Sequence, residues 1–312
     1  MKGGVGPIFS TIDQSVKTLG TETKAVLDTF GRVAACAVKS PRDLPGRNIS
    51  ALDGFAVEGP GNAFVNVGIQ EMGKPPVTVK KGEAIFVPTG APLPRAGRFV
   101  KREHVLEEDG GIIRTTSEED ERKEWGRGSW LKKGTRLVEK GQCVTASMMG
   151  DLSLAGIATL VVYRQARAAI MTTGDELRSR VVPDSNRYLL AGLIQADRGL
   201  VYHLPTAPDQ LEEMTQTIQT ALGSDLLVIT GGTAMGKKDI TREALKEAGA
   251  IFLIDRPRID PGKTMAFGLL GDIPFFLLPG NPKSVATLYG LFVRRCLMRL
   301  QGVKETRERG CE

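Results

Sequence analysis

Beyond residue 166 the chain alternates short apolar β-like runs with amphipathic helical ones, and this alternation constrains the fold more than any other feature. The predicted order is strand "ARAAIMTT", helix near "SNRYLLAGLIQADRG", strand "LVYHL", helix "PDQLEEMTQTIQTAL", strand "DLLVIT", helix "DITREALKEAGA", strand "IFLI", strand "PFFLL" and helix "PKSVATLYGLFVRRCLMRLQ". A helix that crosses over between strands returns the chain to the same end of the sheet, so the pattern predicts a parallel-type sheet with helices on both faces. Ligands of such sheets bind beyond the carboxyl ends of the strands.

The rest of the chain has a different texture. Up to about residue 44 it reads as helices, "FSTIDQSVKTL" and then "TKAVLDTFGRVAACAV", broken at Gly20 and Gly31 and closed by "SPRDLPG". Residues 45–129 are rich in Gly and Pro, with β-like pieces "AFVNVGI" and "PPVTVKKGEAIFV" and a hairpin candidate "HVLEEDGGIIRTT" turning at Asp109-Gly110. The charged "SEEDERKEWGRG" is read as a solvated loop, and "VTASMMGDLSLAGI" as a helix. The expected organisation is a helical and extended linker and dimerisation region (1–44 and 130–165), a small β-rich domain (45–129), an α/β domain (166–302) and a tail (303–312), a multidomain fold of α/β and β parts.

Composition narrows the chemistry. The four cysteines lie far apart and, with His104 and His203 the only histidines, make no structural zinc spacing; they are expected as reduced, mostly buried thiols. So few histidines disfavour Ser-His-Asp and Cys-His mechanisms and leave carboxylates, lysines and backbone amides. A net charge of +6 favours anionic ligands, yet the basic residues are interleaved with acids, which gives no nucleic-acid arm. Apolar runs are too short for a membrane helix and the start lacks a signal-type segment, so the expected location is the cytoplasm.

Three predicted strand-to-helix junctions combine turn residues with ligand-capable groups: "TTGDEL" at 172–177, "TGGTAMGKKD" at 230–239 and "LPGNPKS" at 278–284. The spacing Gly231, Gly236, Lys237 copies a nucleotide P-loop until Lys238, where the magnesium-binding hydroxyl should stand. Glycine amides before a helix capped by Asp239, flanked by Lys237 and Lys238, still suit a phosphate. Asp175 and Glu176 read either as a cation-binding pair or as ordinary partners of a helix dipole.

Together with "SALDGFAV" at 50–57, "PTGAPLP" at 88–94, "SN" at 185–186 and "PGKTMAFG" at 261–268, these junctions occur in the order and approximate spacing of molybdopterin molybdenumtransferases, and the chain resembles that molybdenum-insertase family, which includes MoeA and the gephyrin E domain. The resemblance implies an enzyme that takes adenylylated molybdopterin and molybdate, uses Mg2+ or another divalent cation, releases AMP and leaves molybdenum on the dithiolene. It also implies an elongated homodimer whose site lies between the α/β domain of one subunit and the β-domain of the other, with a molybdoenzyme or another cofactor-biosynthesis protein as a further partner. By motif, Asp53, Glu176 and Asp239 fall on catalytic positions, with Asp53 and Glu176 as metal ligands. Lys263 would attract molybdate or phosphate, and Thr89 and Ser284 would supply hydroxyl hydrogen bonds. Gly174, Asp175, Ser185, Asn186, Gly231, Gly232, Thr233, Gly236, Lys238, Pro279, Gly280, Asn281 and Pro282 complete the implied substrate site.

The chain departs from the family pattern at Ser129-Trp130, Pro208-Asp209, Thr233-Ala234, Lys237, Asp260 and Thr264, and it stops where typical members continue into another β-domain. These departures keep a second reading open, that of a non-catalytic molybdopterin-binding carrier or maturation protein.

Overall fold

Leu226–Thr230 is buried at every residue, and Arg167–Thr172 and Ile273–Leu278 at every residue but the first, the condition of strands covered on both faces. In the computed structural model, which describes residues 4–107, 110–231 and 239–304, six strands form the main sheet: β1 (Arg167–Thr172), β2 (Leu200–His203), β3 (Leu226–Thr230), β4 (Ala250–Asp255), β5 (Ala266–Leu270) and β6 (Ile273–Leu278). Their spatial order is β2-β1-β3-β6-β5-β4. The first four strands in that order are parallel, whereas β5 and β4 add an antiparallel edge. Helices α1 (Asp175–Arg178), α2 (Ser185–Ala196), α3 (Leu211–Gln219), α4 (Ile240–Glu247) and α5 (Pro282–Leu288) follow the strands, and α5 runs on through a π-turn into Arg294–Leu300.

Period-two alternation divides the apolar residues between two cores. Ile170, Val228, Phe267 and Phe276 pack with Ile8 and Ile12 of the helix Gly6–Ser15, Ile194 of α2 and Leu288 of α5. On the other face Met171, Leu227, Ile229 and Phe275 pack with Met214 and Ile218 of α3 and Leu245 of α4. The sheet is therefore covered by helices on both faces, as expected, and the structure adds β5, which begins within the "PGKTMAFG" motif and runs on to Leu270. The two-residue Gly271-Asp272 turn pairs Leu270 with Ile273, so β5 and β6 form a hairpin and β5 must run antiparallel.

Val38–Leu137 with Leu154–Gly156 make a second compact unit. Its six-stranded sheet runs in the order Arg98–Lys101, Gly54–Val57, Glu83–Val87, Ala63–Ile69, Ile112–Thr115, Val105–Glu107. Two apolar clusters flank it, one with Phe55, Phe64 and Val100, the other with Ile85, Val87 and Phe99.

Two expectations are corrected and a third is refined. "TKAVLDTFGRVAACAV" is not an α-helix: Thr21–Ala25 is a strand paired antiparallel with Thr159–Tyr163, Val26–Asp28 is a single 3-10 turn, and Val33 and Ala34 bridge to Cys143 and Val162. Pairing with residues far along the chain outweighs local helix propensity here. The segment "SEEDERKEWGRG" is largely exposed, as expected, but two of its acids are anchored: Asp120 accepts from the Phe99 amide at 2.9 Å, and Glu121 accepts from the Lys101 amide at 3.0 Å and lies 2.7 Å from His104 Nδ1. Among the cysteines, Cys143 is disulfide-bonded and Cys36 is exposed, while Cys296 is the expected buried thiol. No helix among the described residues is long and apolar enough to cross a membrane.

Phe267 is fully buried, with its ring centroid 4.9 Å from that of Phe276. Phe267→Ala should cost about 3–5 kcal/mol, measured as a lower urea midpoint with the slope preserved. A loss under about 1 kcal/mol would mean that this core collapses around the gap.

Candidate functional site

Parallel register sets the site edge. Thr172 of β1 pairs with Thr230 of β3, and Thr230 with Leu278 of β6, so the junctions 172–177, 230–239 and 278–284 leave three adjacent strands at the same end. Gly231 comes so close to the first junction that a Cβ there would sit 2.6 Å from the Thr173 carbonyl oxygen, and its φ of 98° also suits glycine.

Asn186, in the first turn of α2, ties the second and third loops together. Its Nδ2 donates to Thr230 Oγ1 at 3.1 Å and to the Gly280 carbonyl at 2.7 Å, and Thr230 Oγ1 donates to the Pro279 carbonyl at 2.9 Å. Its own position follows from the α2 cap: Asp184 accepts from the Arg187 amide at 3.2 Å, from Arg187 Nε at 2.8 Å and from Thr172 Oγ1 at 2.7 Å. Arg187 also donates to Leu204 O and Thr206 Oγ1, stapling β1 to the chain after β2. The sequence reading missed this network, although an Asp cap followed three residues later by Arg is a local signal for it. Asn186 Oδ1 and Thr173 Oγ1 are buried without a partner among the described residues. Such atoms carry a desolvation cost that a bound polar group relieves.

The first loop concentrates negative charge. Gly174 leaves room for the Glu176 carboxylate, whose Oε1 would lie 2.4 Å from a Cβ on that glycine. Glu176 and Asp175 are exposed, and Asp175 Oδ1 accepts from the Asp209 amide at 3.3 Å. Desolvation raises the Asp209 pKa, and the charges of Asp175 and Glu176 raise it further.

Asp239 caps α4 through the Arg242 amide at 3.3 Å, while its Oδ2 accepts from Arg242 and, at 3.0 Å, from Arg256. Both of its oxygens are thus engaged. Lys263 is exposed and pairs with Asp260 at 3.3 Å. The turn before it packs on α5, since a Cβ on Gly262 would meet Leu288 at 3.1 Å. Asn281 caps α5 by accepting from the Lys283 amide at 3.0 Å, Pro282 opens the helix, and Ser284 is half-buried in its first turn. Ser185 is exposed at the start of α2. Gly232, Thr233, Gly236 and Lys238, with Lys237, lie outside the described residues.

Asp53 and Thr89 belong to the other unit and meet there for a similar reason. Gly54 pairs with Val87, so the residue entering one strand lies beside the residues leaving its neighbour. Asp53 Oδ1 accepts from the Thr89 amide at 2.6 Å and from Thr89 Oγ1 at 2.8 Å, and these bonds lower its pKa from the ordinary value. Asp53 Oδ2 has no hydrogen-bond partner among the described residues.

An α/β unit with glycine and proline loops at one end of three adjacent strands, with a separate β-rich unit, defines a two-unit class of α/β and β protein, and comparison with known proteins names its family. Residues 7–156 match the family described as "MoeA N-terminal region (domain I and II)", and residues 169–299 match "Probable molybdopterin binding domain". The chain is 29% identical to a molybdopterin molybdenumtransferase of Haemophilus influenzae, over 91% of this chain and 74% of that one. It is 28% identical to a protein of the same name from Nostoc, over 95% of this chain and 73% of that one. The crystal structure of a molybdopterin biosynthesis MoeA protein from Pyrococcus horikoshii superposes with a TM-score of 0.76 at 26% identity, covering 96% of this chain and 80% of that one. The chain belongs to the MoeA family.

Because Thr89 holds the Asp53 pKa down, Thr89→Val should raise the Asp53 titration midpoint toward the ordinary carboxylate value, read by NMR of the side-chain carboxyl. The linkage sign follows: a depressed folded pKa adds stability above the unfolded value that is lost as pH falls through the folded one, so the variant should lose stability relative to the parent near neutral pH and converge with it in acid. An unchanged midpoint would remove the Thr89 hydroxyl as a cause and leave the backbone amide.

Proposed function

We propose that this protein inserts molybdenum into adenylylated molybdopterin with release of AMP, a transferase step of molybdenum cofactor biosynthesis, acting as a cytoplasmic homodimer. Family membership and the names of the relatives support the reaction, and the observation that carries it is the common edge of three loops, two of them joined by Asn186 and the first held at Thr172 by Asp184. In this reading the pterin and its phosphate lie along that edge. Gly231 lets backbone amides approach the phosphate, Asn186 Oδ1 and Thr173 Oγ1 take up the hydrogen bonds that the fold leaves open, and the α5 amides with Ser284 hold the remaining oxygens. Lys263 needs only to give up an exposed ion pair to meet an oxyanion.

Asp53 and Glu176 fit a hard divalent cation by chemistry, both being carboxylates with an oxygen that has no protein partner among the described residues. Among the described residues no group of three His, Cys, Asp or Glu side chains is gathered for an ion. That agrees with Mg2+, which takes one or two carboxylates and draws its other ligands from water and substrate phosphate. Bound there, the cation would neutralise phosphate charge as the link to AMP is cleaved. A homodimer that brings the Asp53 of one subunit to the Glu176 of the other would complete the site. Asp239, with both oxygens committed to arginine and an amide, serves to hold α4 and Arg256 in place rather than to move a proton.

The same commitment of Asp239 favours the second reading, a molybdopterin-binding carrier. AMP release from adenylylated molybdopterin with molybdate and Mg2+ separates the two. Glu176→Gln should lower turnover by about a hundredfold or more while ligand titration shows binding retained. If the parent binds the pterin but releases no AMP, the carrier reading replaces the enzyme.

Light scattering at micromolar concentration should return twice the 33.6 kDa chain mass. A monomer throughout would contradict a site shared between subunits.

A further inference from the structure

At the amino ends of β1 and β2, and therefore at the opposite end of the sheet from the three loops, Arg32, Arg198 and Arg294 line one cavity. Among the described residues Asp197 is the only acid lining it, and it is already shared: its carboxylate accepts from Arg294 Nε and from the Tyr289 hydroxyl, each at 2.9 Å. The carbonyls at the end of α2 are satisfied as well, Asp197 O by Gln301 Nε2 at 3.0 Å and Arg198 O by Gln165 Nε2 at 2.8 Å.

The arginines are not. Arg32 is only 7% exposed; one of its nitrogens serves Glu22 and the Tyr163 carbonyl, but its Nε is buried with no partner among the described residues. Arg198 Nε is likewise buried and unpartnered, and its guanidinium has no carboxylate partner among the described residues, resting instead 5.0 Å from the centre of the Phe30 ring. Two local features hold it there. Arg198 adopts a left-handed φ of 63°, which most residues avoid, and Gly31 leaves open the space in which a Cβ would stand 2.9 Å from Arg198 Nε. A buried guanidinium N–H with no acceptor is costly, and two of them at one partly desolvated cavity with excess positive charge attract an anion strongly.

We propose that this cavity binds a small tetrahedral oxyanion of the phosphate, sulfate or molybdate type, with one of its oxygens accepting from Arg32 Nε and Arg198 Nε. The site is independent of the three-loop edge and of the function proposed for it.

The test is thermal unfolding of the full chain in phosphate, sulfate or molybdate, each against chloride at matched ionic strength, for the parent and for Arg198→Asn, chosen because Asn tolerates the left-handed conformation. A ligand that binds only the folded chain raises Tm, so the parent should gain several degrees and the variant markedly less. Oxyanion binding at the glycine loops would raise both alike and cancel in the difference, and the anion with the largest difference identifies the ligand. In the parent, the side-chain Nε–H resonances of Arg32 and Arg198 should shift and saturate with the same anion, a readout that needs no variant. Equal Tm gains in parent and variant, or Nε–H resonances that stay put through the titration, would overturn the proposal.

Discussion

Parallel pairing of β1, β3 and β6 is the constraint on which the α/β unit depends. Because these strands are buried on both faces, a slip of one residue would send every core side chain to the wrong side, and so the two cores lock the register. The register in turn brings Thr172, Thr230 and Leu278 abreast, which is why loops separated by some fifty residues of chain open side by side. The hydrogen bonds of Asn186 then act on loops that packing has already aligned.

Charge is distributed with the same economy. Asp184 and Asp239 are spent on structure, each capping a helix and pairing with the arginine three residues on. Among the described residues the Glu176 carboxylate and one oxygen of Asp53 have no partner. The raised pKa of Asp209 comes first from its desolvation and then from the nearby charges of Asp175 and Glu176. The β unit repeats the principle by another route: antiparallel pairing of Gly54 with Val87 delivers Thr89 to Asp53, and two hydrogen bonds on one oxygen keep that carboxylate ionised.

Much of this was legible in the residues. The alternation beyond residue 166 foretold the sheet and its helices, because buried parallel strands must be continuously apolar and crossover helices must be amphipathic, and both periods are written locally. The junction residues were legible for the same reason: glycine and proline mark where the chain must turn, and turns at strand ends are where ligands can reach a backbone.

What only the tertiary structure decided is non-local. Whether Thr21–Ala25 would be helix or strand depended on Thr159–Tyr163, and no window around residue 21 contains that partner. The antiparallel β5 emerged only once the Gly271-Asp272 turn was seen to fold it back on β6. The state of each carboxylate was equally hidden, since an Asp in a sequence is the same letter whether two arginines engage it, as at Asp239, or a threonine leaves it one free oxygen, as at Asp53. Beyond residue 166 the sequence by itself determined where most strands, helices and turns would fall, because those depend largely on near neighbours. Which charges remain available for chemistry was settled by the three-dimensional structure, because that depends on which distant residues arrive beside them.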